Sequence, residues 1–312
     1  MKKKLVILTG PTAVGKTALS LSLAKALGGE IISADSMQVY RHMDIGSDKL
    51  PFEKREGIPH HLVDVLEPTE DFHVVLFQRM AMEAMEDIYS RGKVPILVGG
   101  TGFYIQAVTR EIDFTEAEES SYRRDLEALA EEKGVSYLHE RLQEVDPKSA
   151  EIIHENNVKR VIRALEFYQE NGYPISQHNS EQREKKSPYD LHYFVLNAPR
   201  DLLYERIDKR VDEMMERGLL AEVEALYAMG CRRGMTSMQG LGYKELLDYL
   251  MGEVSLEEAV RLIKRDTRHF AKRQLTWFRR EGEVTWVDKD AFAYDDEKIL
   301  EYLVSDCAKI AD

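Results

Sequence analysis

A phosphate-binding motif at the start of the chain constrains its fold more than any other feature. It reads G-x-x-x-x-G-K-T and consists of Gly10, Pro11, Thr12, Ala13, Val14, Gly15, Lys16 and Thr17. An apolar run precedes it and a helical pattern follows, which is the setting that this loop requires. Its glycines let the backbone bend around phosphate oxygens, so that N–H groups and a helix N-terminus point at negative charge. The motif predicts a diphosphate or triphosphate site in an α/β fold.

Composition narrows the classes of protein that the chain can represent. With 312 residues, 43% of them hydrophobic, it can bury the core of one large or two modest domains. A net charge of −13 repels polyanions, so a nucleic-acid site would have to be a local basic patch. Cys231 and Cys307 lack the spacing of a disulfide framework or a zinc site and fit a reducing cytosol. No segment approaches the ~20 apolar residues of a membrane helix, and the first apolar run is too short for a signal peptide.

Strand and helix patterns alternate through the first hundred residues, which predicts βαβ units and a parallel sheet. The predicted strands are 5–9, 30–34, 62–65 and 94–98, and the predicted helices are 17–27, 74–91 and 103–109. Ligands of such sheets bind at the carboxyl ends of the strands. Those ends carry residues 10–17, Asp35 with Ser36, and the glycine-rich turn 99–102.

Charge-rich helical patterns replace the strand signals after residue 114. They cover 121–133, 135–145, 149–155 and 157–171, and the polar stretch 179–188 is interpreted as a connection. A returning strand at 191–196, helices at 200–216, 219–229 and 256–280 and a short strand at 284–287 follow. We predict a P-loop NTPase-like parallel sheet core (1–113 and 191–312, the latter with a basic C-terminal helix) that is interrupted by an all-helical insertion domain (114–190).

Asp35, at the end of the second predicted strand, has two interpretations. A carboxylate beside a phosphate loop is suited to bind Mg²⁺ or to accept a proton from a nucleophile. An aspartate in that place equally suits a turn or a helix N-cap. The strand 94–98 lacks the closing acid that nucleoside-triphosphate hydrolases usually use for Mg²⁺, and Asp64 is a weak substitute. The glycines of 99–102 either bring backbone close to a ligand or, more simply, make a tight turn.

Basic residues stand out against the acidic background in three places. Arg206 and Arg210 share a helix face and could reach a departing pyrophosphate, although acidic neighbours favour an ordinary solvated, salt-bridged helix. A second cluster covers 159–163. The third covers 261–280, where Arg261, Arg265, Arg268 and Lys272 follow helical spacing and predict a positive stripe. Such a stripe is typical of a surface for a phosphate backbone, and a solvated helix is the alternative.

Together these motifs resemble the tRNA dimethylallyltransferase (tRNA isopentenyltransferase) family, bacterial type, over nearly the whole chain and in family order. The zinc finger of eukaryotic relatives is missing, in agreement with the cysteine count. The matching segments are Gly10–Thr17, Asp35–Tyr40, Met43–Gly46, His60–Asp64, Gly99–Tyr104, Arg160–Glu166, Gly242–Glu245 and Thr267–Arg279.

The resemblance implies transfer of a dimethylallyl group from dimethylallyl diphosphate to N6 of the adenosine 3′-adjacent to the anticodon (tRNA position 37), with release of diphosphate. Residues 10–17 would bind the diphosphate and Asp35 would be the general base. Lys16, Thr17 as metal ligand, Arg210 and Mg²⁺ would stabilise the leaving group. The partner would be the anticodon stem-loop, and the protein a cytoplasmic monomer without zinc or membrane contact. The tRNA-binding residues would be Asp35, Ser36, Met37, Gln38, Thr101, Arg123, Lys159, Arg160, Val161, Ile162 and Arg163.

Two other functions are compatible with the phosphate loop. A P-loop kinase of a small molecule or nucleoside also has an aspartate after its second strand, but it does not account for the basic stripe or for an insertion carrying Arg160 and Arg163. A nucleotide-gated RNA-binding switch that uses GTP would need an Asn-Lys-x-Asp motif, which the sequence lacks.

Overall fold

The computed structural model describes residues 2–114 and 121–309, and in it six strands form one parallel sheet in the order β3-β2-β4-β1-β5-β6. The predicted α/β class and parallel sheet are confirmed. Because all the strands are parallel, the segments that follow them emerge at the same edge of the sheet. The strands are β1 (Lys4–Thr9), β2 (Gly29–Ser33), β3 (His60–His61), β4 (Val94–Gly99), β5 (Asp190–Asn197) and β6 (Thr285–Asp288).

The chain divides into two compact units, one of residues 1–109 with 188–312 and the other of residues 110–187. Residues 115–120 of the predicted insertion lie outside the described residues. The first unit contains α1 (Lys16–Leu27), α2 (Val74–Ser90), α3 (Gly102–Thr109), α9 (Arg200–Glu216), α10 (Leu219–Ala228), α11 (Tyr243–Leu250), α12 (Leu256–Phe278) and α13 (Asp296–Cys307). The second contains α4 (Ser121–Lys133), α5 (Val135–Val145), α6 (Pro147–Ile152), α7 (Val158–Asn171) and α8 (Ile175–Glu184).

Hydrophobic cores cover both faces of the sheet. Successive residues of β1 alternate between them, since side chains of a strand point to opposite faces. Leu5 and Ile7 join the core that contains α2, α3 and α10 to α12, whereas Val6 and Leu8 join the core that contains α1 and α13. The second unit has a separate core. In the part of the chain that the structure describes, no helix combines the length and apolarity needed to cross a membrane.

Two predicted elements are wrong in detail. The third strand occupies His60–His61 and not 62–65, because Leu62 and Asp64 have φ of 60° and 58°, outside the range of a strand. The predicted connection 179–188 begins inside α8, whose polar sequence carries no apolar periodicity. Sequence patterns also missed α11 and α13, both of which bury leucines in the cores of the first unit.

Candidate functional site

The loop between β1 and α1 forms a compact turn at the carboxyl edge of the sheet, and residues 10–17 are called the phosphate cradle below. Gly10, Ala13 and Gly15 all have positive φ, at 143°, 65° and 97°. A Cβ on Gly10 would lie 2.4 Å from the carbonyl oxygen of Leu196 in β5, so only glycine fits there. Helix α1 begins at Lys16, which directs its first N–H groups toward the cradle.

The side chain of Lys16 folds back onto the backbone of the phosphate cradle. Its Nζ donates to the carbonyl oxygens of Gly10 and Pro11, both at 2.9 Å. Burial and, to a smaller extent, the charge of Arg210 lower the pKa of Lys16 to about 8, although the charges of Asp35 and Asp48 oppose this shift. The charge of this ammonium group is therefore sensitive to any anion that the cradle binds.

The position of Asp35 is compatible with both interpretations that its place in the sequence left open. Its Oδ1 accepts the N–H of Met37 at 2.8 Å, which closes a turn after β2. The carboxylate also lines the same pocket as Lys16 and Thr17. Burial raises the pKa of Asp35, opposed by the Met37 N–H and by Lys16. A carboxylate with a raised pKa is a stronger proton acceptor than an ordinary aspartate.

Arg210 and Arg206 separate in the structure although they are neighbours on α9. Arg210 Nη1 donates to Thr12 Oγ1 at 3.3 Å and lies 3.1 Å from Asp48 Oδ2, so this guanidinium group reaches the cradle. Arg206 instead lies over the ring of Tyr294. The sequence pattern could not distinguish the two, because the difference depends on which one faces the cradle.

Gln274 is a cradle contact that sequence reasoning missed. Its Oε1 accepts the N–H of Thr12 and its Nε2 donates to the carbonyl oxygen of Gly100, both at 2.9 Å. A Cβ on Gly100 would lie 2.0 Å from Gln274 Nε2, so close packing against Gln274, which neither interpretation of the glycine turn named, accounts for this glycine. The available signal was a polar residue on the buried face of α12, between Ala271 and Phe278.

Asp64 does not substitute for a magnesium-binding acid. Its Oδ1 lies 2.6 Å from Nζ of the buried Lys49, and its other oxygen lies 3.5 Å from Arg55, so ion pairs occupy this carboxylate. Among residues 2–114 and 121–309, no group of three or more His, Cys, Asp or Glu side chains could hold a metal ion.

Residues 35–38 and Thr101, which the resemblance assigns to tRNA, come together beside the cradle. The carbonyl oxygen of Ala34 accepts the N–H of Thr101 at 3.3 Å. Gln38 is fixed by Ser33, which donates to its Oε1 at 2.9 Å, and by its own bond to the Ser47 carbonyl oxygen. Asp35, Ser36, Met37 and Gln38 are all partly exposed.

In the second unit, some of the α7 residues that the resemblance assigns to tRNA lie at the surface and others lie in the core. Lys159 and Arg160 are exposed and Arg163 is partly exposed. Val161 and Ile162 are buried in the core of the unit, which gives both side chains a packing role, and their assignment to tRNA remains a prediction.

Arg123 of α4 makes a two-pronged ion pair with Glu166 of α7. Its Nε and Nη2 lie 2.9 and 2.6 Å from the two carboxylate oxygens of Glu166, which is almost fully buried. Arg123 therefore ties two helices of this unit together, and the contact with tRNA that the resemblance assigns to it remains a prediction.

The positive stripe predicted on α12 is wrong for its N-terminal half. Arg261 pairs with Glu258, Arg265 with Asp266 and Arg268 with Asp208. We call Lys272, Arg273, Arg279 and Arg280 the C-terminal cations. All four are exposed, and none has an ion pair within the described ranges.

A cavity of about 450 Å³ lies among the C-terminal cations. The ring of Trp277 forms part of its wall, and the Nε1 of this residue is buried with no hydrogen-bond partner among the residues that the structure describes. The cavity is lined by His269, Lys272, Arg273, Thr276, Trp277 and Arg280.

Comparison with known proteins gives concordant matches. The IPP transferase family model matches residues 38–281, and the isopentenyl transferase model matches residues 3–59. A tRNA dimethylallyltransferase of Lachnoclostridium phytofermentans is 60% identical over 93% of each chain. The tRNA dimethylallyltransferase of Carboxydothermus hydrogenoformans is 51% identical over 98% of each chain.

Solved structures agree with these matches. A tRNA isopentenylpyrophosphate transferase from Bacillus halodurans has a TM-score of 0.74 and 46% identity, covering 98% of this chain and 97% of that one. A eukaryotic dimethylallyltransferase acting on tRNA has a TM-score of 0.80 and 34% identity, covering 92% and 74%.

Proposed function

Because the chain belongs to the tRNA dimethylallyltransferase family, we propose that it transfers the dimethylallyl group of dimethylallyl diphosphate to N6 of the adenosine 3′-adjacent to a tRNA anticodon. Family membership makes it an enzyme, a prenyltransferase that acts on tRNA. The adenosine position, the role of each residue and the metal are the parts that we propose.

The observation that carries this proposal is the convergence of two cations and one carboxylate on the phosphate cradle. Lys16 and Arg210 both contact the cradle, and Asp35 lines the same pocket. Cations and aligned N–H groups are suited to stabilise the charge that grows on a departing diphosphate. The site therefore has a leaving-group side and, at Asp35, a proton-accepting side.

The proposed role of Asp35 is to activate a weak nucleophile by accepting its proton. The exocyclic amine of adenine is a poor nucleophile, because its lone pair is delocalised into the ring. A positioned carboxylate that takes up the amine proton contributes ~10²–10⁴-fold to the rate. The burial that raises the pKa of Asp35 makes it better suited to this step.

Thr17 is the residue that would hold Mg²⁺. Protein sites for this ion commonly supply few ligands and leave the others to substrate phosphates and water. The exposed Thr17 in the first turn of α1, at the end of the phosphate cradle, fits that pattern. When bound to the diphosphate, Mg²⁺ would neutralise part of its charge.

Three sets of residues are proposed to bind tRNA. Residues 35–38 and Thr101 lie beside the cradle, where the target base must arrive, and the base must leave the stack of the anticodon loop to reach it. The C-terminal cations supply charge for phosphate groups, and Trp277 contributes an aromatic side chain to the wall of the cavity beside them. Lys159, Arg160 and Arg163 of α7 are proposed as further phosphate contacts.

The remaining proposals concern setting and assembly. We propose that the protein acts in the cytoplasm as a monomer and uses no zinc. The support is the family resemblance together with the two cysteines, Cys231 and Cys307, which are both buried as free thiols.

The test supplies purified protein with Mg²⁺, bulk tRNA and radiolabelled dimethylallyl diphosphate. We expect label in tRNA, and nuclease digestion followed by mass spectrometry should locate it at N6 of the adenosine after the anticodon. A parallel reaction contains γ-labelled ATP with nucleoside acceptors. Phosphate transfer without prenylation would favour a kinase, and nucleotide-dependent RNA binding without either transfer would favour a switch; both results contradict the proposal.

A further inference from the structure

The segment 43–49, here called the Asp48 loop, is held rigidly next to the cradle. Glu222 of α10 accepts the backbone N–H groups of Asp44, Ile45 and Gly46 at 2.9, 2.7 and 3.1 Å. The hydroxyl of Tyr243 donates to the same carboxylate at 2.7 Å. A Cβ on Gly46 would lie 2.5 Å from the ring of Tyr243, so the loop packs directly on it.

A buried lysine fixes the end of this loop. Lys49 Nζ lies 2.9 Å from Asp44 Oδ1 and 2.6 Å from Asp64 Oδ1, and it also donates to the Tyr40 carbonyl oxygen. Asp48 itself has a φ of 50°, a left-handed conformation that such surroundings must maintain. The backbone from which the Asp48 side chain extends is therefore held in place by the fold.

The Asp48 carboxylate lies beside two arginines, of which Arg210 contacts the cradle. Its Oδ2 lies 3.1 Å from Arg210 Nη1, and its Oδ1 lies 3.8 Å from Arg217 Nη1. It lines the pocket that also contains Lys16, Thr17 and Asp35. The same guanidinium group of Arg210 thus contacts both Thr12 of the cradle and an acid across from it.

We infer that Asp48 is a built-in competitor of diphosphate for Arg210: it weakens the binding of the donor and speeds the release of the diphosphate product. This inference rests on the proposed function, because it requires that the cradle bind a diphosphate. It makes Asp48 a residue that sets affinity and turnover and not one that takes part in the bond-making step.

The sign of the effect follows from charge and rigidity. A diphosphate in the cradle adds negative charge beside Arg210, and the Asp48 carboxylate repels it and shares the same guanidinium group. The Glu222 and Lys49 contacts keep the Asp48 loop from withdrawing. If Asp48 served only to orient Arg210, removal of its charge would weaken diphosphate binding, so the two roles predict opposite changes.

The test compares Asp48→Asn with wild type by titration calorimetry, using inorganic diphosphate and Mg²⁺ as the probe. Asparagine keeps the shape and removes the charge. We expect diphosphate to bind about 5- to 30-fold more tightly to the variant, because one screened carboxylate near the anion is removed. The KM for dimethylallyl diphosphate should fall, and a burst followed by slow steady-state turnover should report slow product release.

The matched control is Asp208→Asn. It also removes one negative charge, but this charge belongs to α9 and pairs with Arg268. It should leave diphosphate affinity within about 2-fold, since the partly exposed Asp208 pairs with Arg268 and not with Lys16 or Arg210. A second variant, Asp48→Ala, separates loss of charge from a specific effect of asparagine, and thermal melting confirms that each variant is folded.

The outcomes separate this inference from the proposed function. Tighter diphosphate binding in both Asp48 variants supports the inference. Unchanged or weaker binding in folded variants overturns it and leaves the proposed function standing. Failure of the wild-type protein to bind diphosphate at all contradicts the proposed function and removes the basis of the inference.

Discussion

The phosphate cradle and the C-terminal cations of α12 both concentrate positive charge, but they place it in opposite surroundings. In the cradle, Lys16 and Arg210 are at least partly buried and carboxylates stand close by. On α12, Lys272, Arg273 and their neighbours are exposed and have no ion pair in the described part of the chain. Buried, partnered charges suit chemistry on one small anion, whereas exposed and unpaired charges suit a long phosphate backbone. The first region should therefore control rate and the second affinity for tRNA.

The variant with the largest expected effect is Asp35→Asn, which changes the cradle region and leaves the C-terminal cations intact. We expect the single-turnover rate of prenyl transfer to fall ~10²–10⁴-fold, because the general base is lost. The asparagine oxygen can still accept the Met37 N–H, so the turn after β2 should survive. Rapid-quench kinetics with labelled donor give the rate, and filter binding gives tRNA affinity, which should change less than about 3-fold.

Either of two results would break the contrast at this point. Transfer at near wild-type rate in Asp35→Asn would exclude the general-base role. A loss of tRNA affinity as large as the loss of rate would instead make Asp35 mainly a binding residue. Ser36→Ala, one residue further along the same segment, is the matched control and should keep most of the rate.

The second test replaces Lys272, Arg273 and Arg280 with glutamine. We expect tRNA to bind ~10- to 100-fold more weakly at low salt, because three phosphate contacts are lost. The slope of log affinity against log salt should decrease in magnitude by about 2, at ~0.7–0.9 per contact. Filter binding over a salt series measures both quantities. Titration with inorganic diphosphate should match wild type, and a large loss there would mean that the two regions are not separate in function.

The third test varies the pH, because the cradle region contains two groups with shifted pKa values, Lys16 and Asp35. Burial lowers the pKa of Lys16 to about 8, so its ammonium form, which attracts diphosphate, is lost above that pH. We expect kcat/KM for the donor to fall up to about tenfold per pH unit on the alkaline side. On the acid side, Asp35 must lose its proton to act, and its raised pKa moves that limb upward from the usual aspartate range.

The control for this profile is tRNA affinity, since guanidinium groups keep their charge over the same range. An alkaline limb absent up to pH 9.5 would contradict the assignment to Lys16. Loss of the acid limb in the residual activity of Asp35→Asn would support its assignment to Asp35.

The cradle could be predicted from sequence because its determinants are local. The glycines, Lys16 and Thr17 all lie within residues 10–17, and the strand before this segment and the helix after it have clear sequence patterns. The partners that complete it come from far along the chain: Arg210 from α9, Gln274 from α12 and Asp48 from a loop. Helical spacing predicted a pyrophosphate contact for Arg206 and Arg210 alike. Only the packing of α9 shows that Arg210 contacts the cradle and Arg206 does not.

The basic helix shows a second limit of sequence patterns. Arg261 and Lys272 belong to one predicted stripe, yet their surroundings differ because acids from α9 and from α12 itself pair with the N-terminal half. Ion pairs across helices depend on tertiary packing, so periodicity could locate the stripe but not its available half. Similarly, the resemblance assigned residues 159–163 to RNA as one continuous segment, and the sequence did not show that Val161 and Ile162 are buried in the core of the second unit.

The smallest expected effect completes the comparison within α12 itself. Arg261→Gln with Arg265→Gln removes charges of the same type, but both arginines already have acidic partners, Glu258 and Asp266. We expect tRNA affinity to change less than about 3-fold and the salt slope to stay within about 0.5 of wild type, because paired and distant charges add little to phosphate binding. The same filter-binding series measures this variant beside the C-terminal triple variant. If the N-terminal pair weakened binding as much as the triple variant, net charge alone would explain the interface, and the division of α12 into a paired and an available half would have no functional meaning.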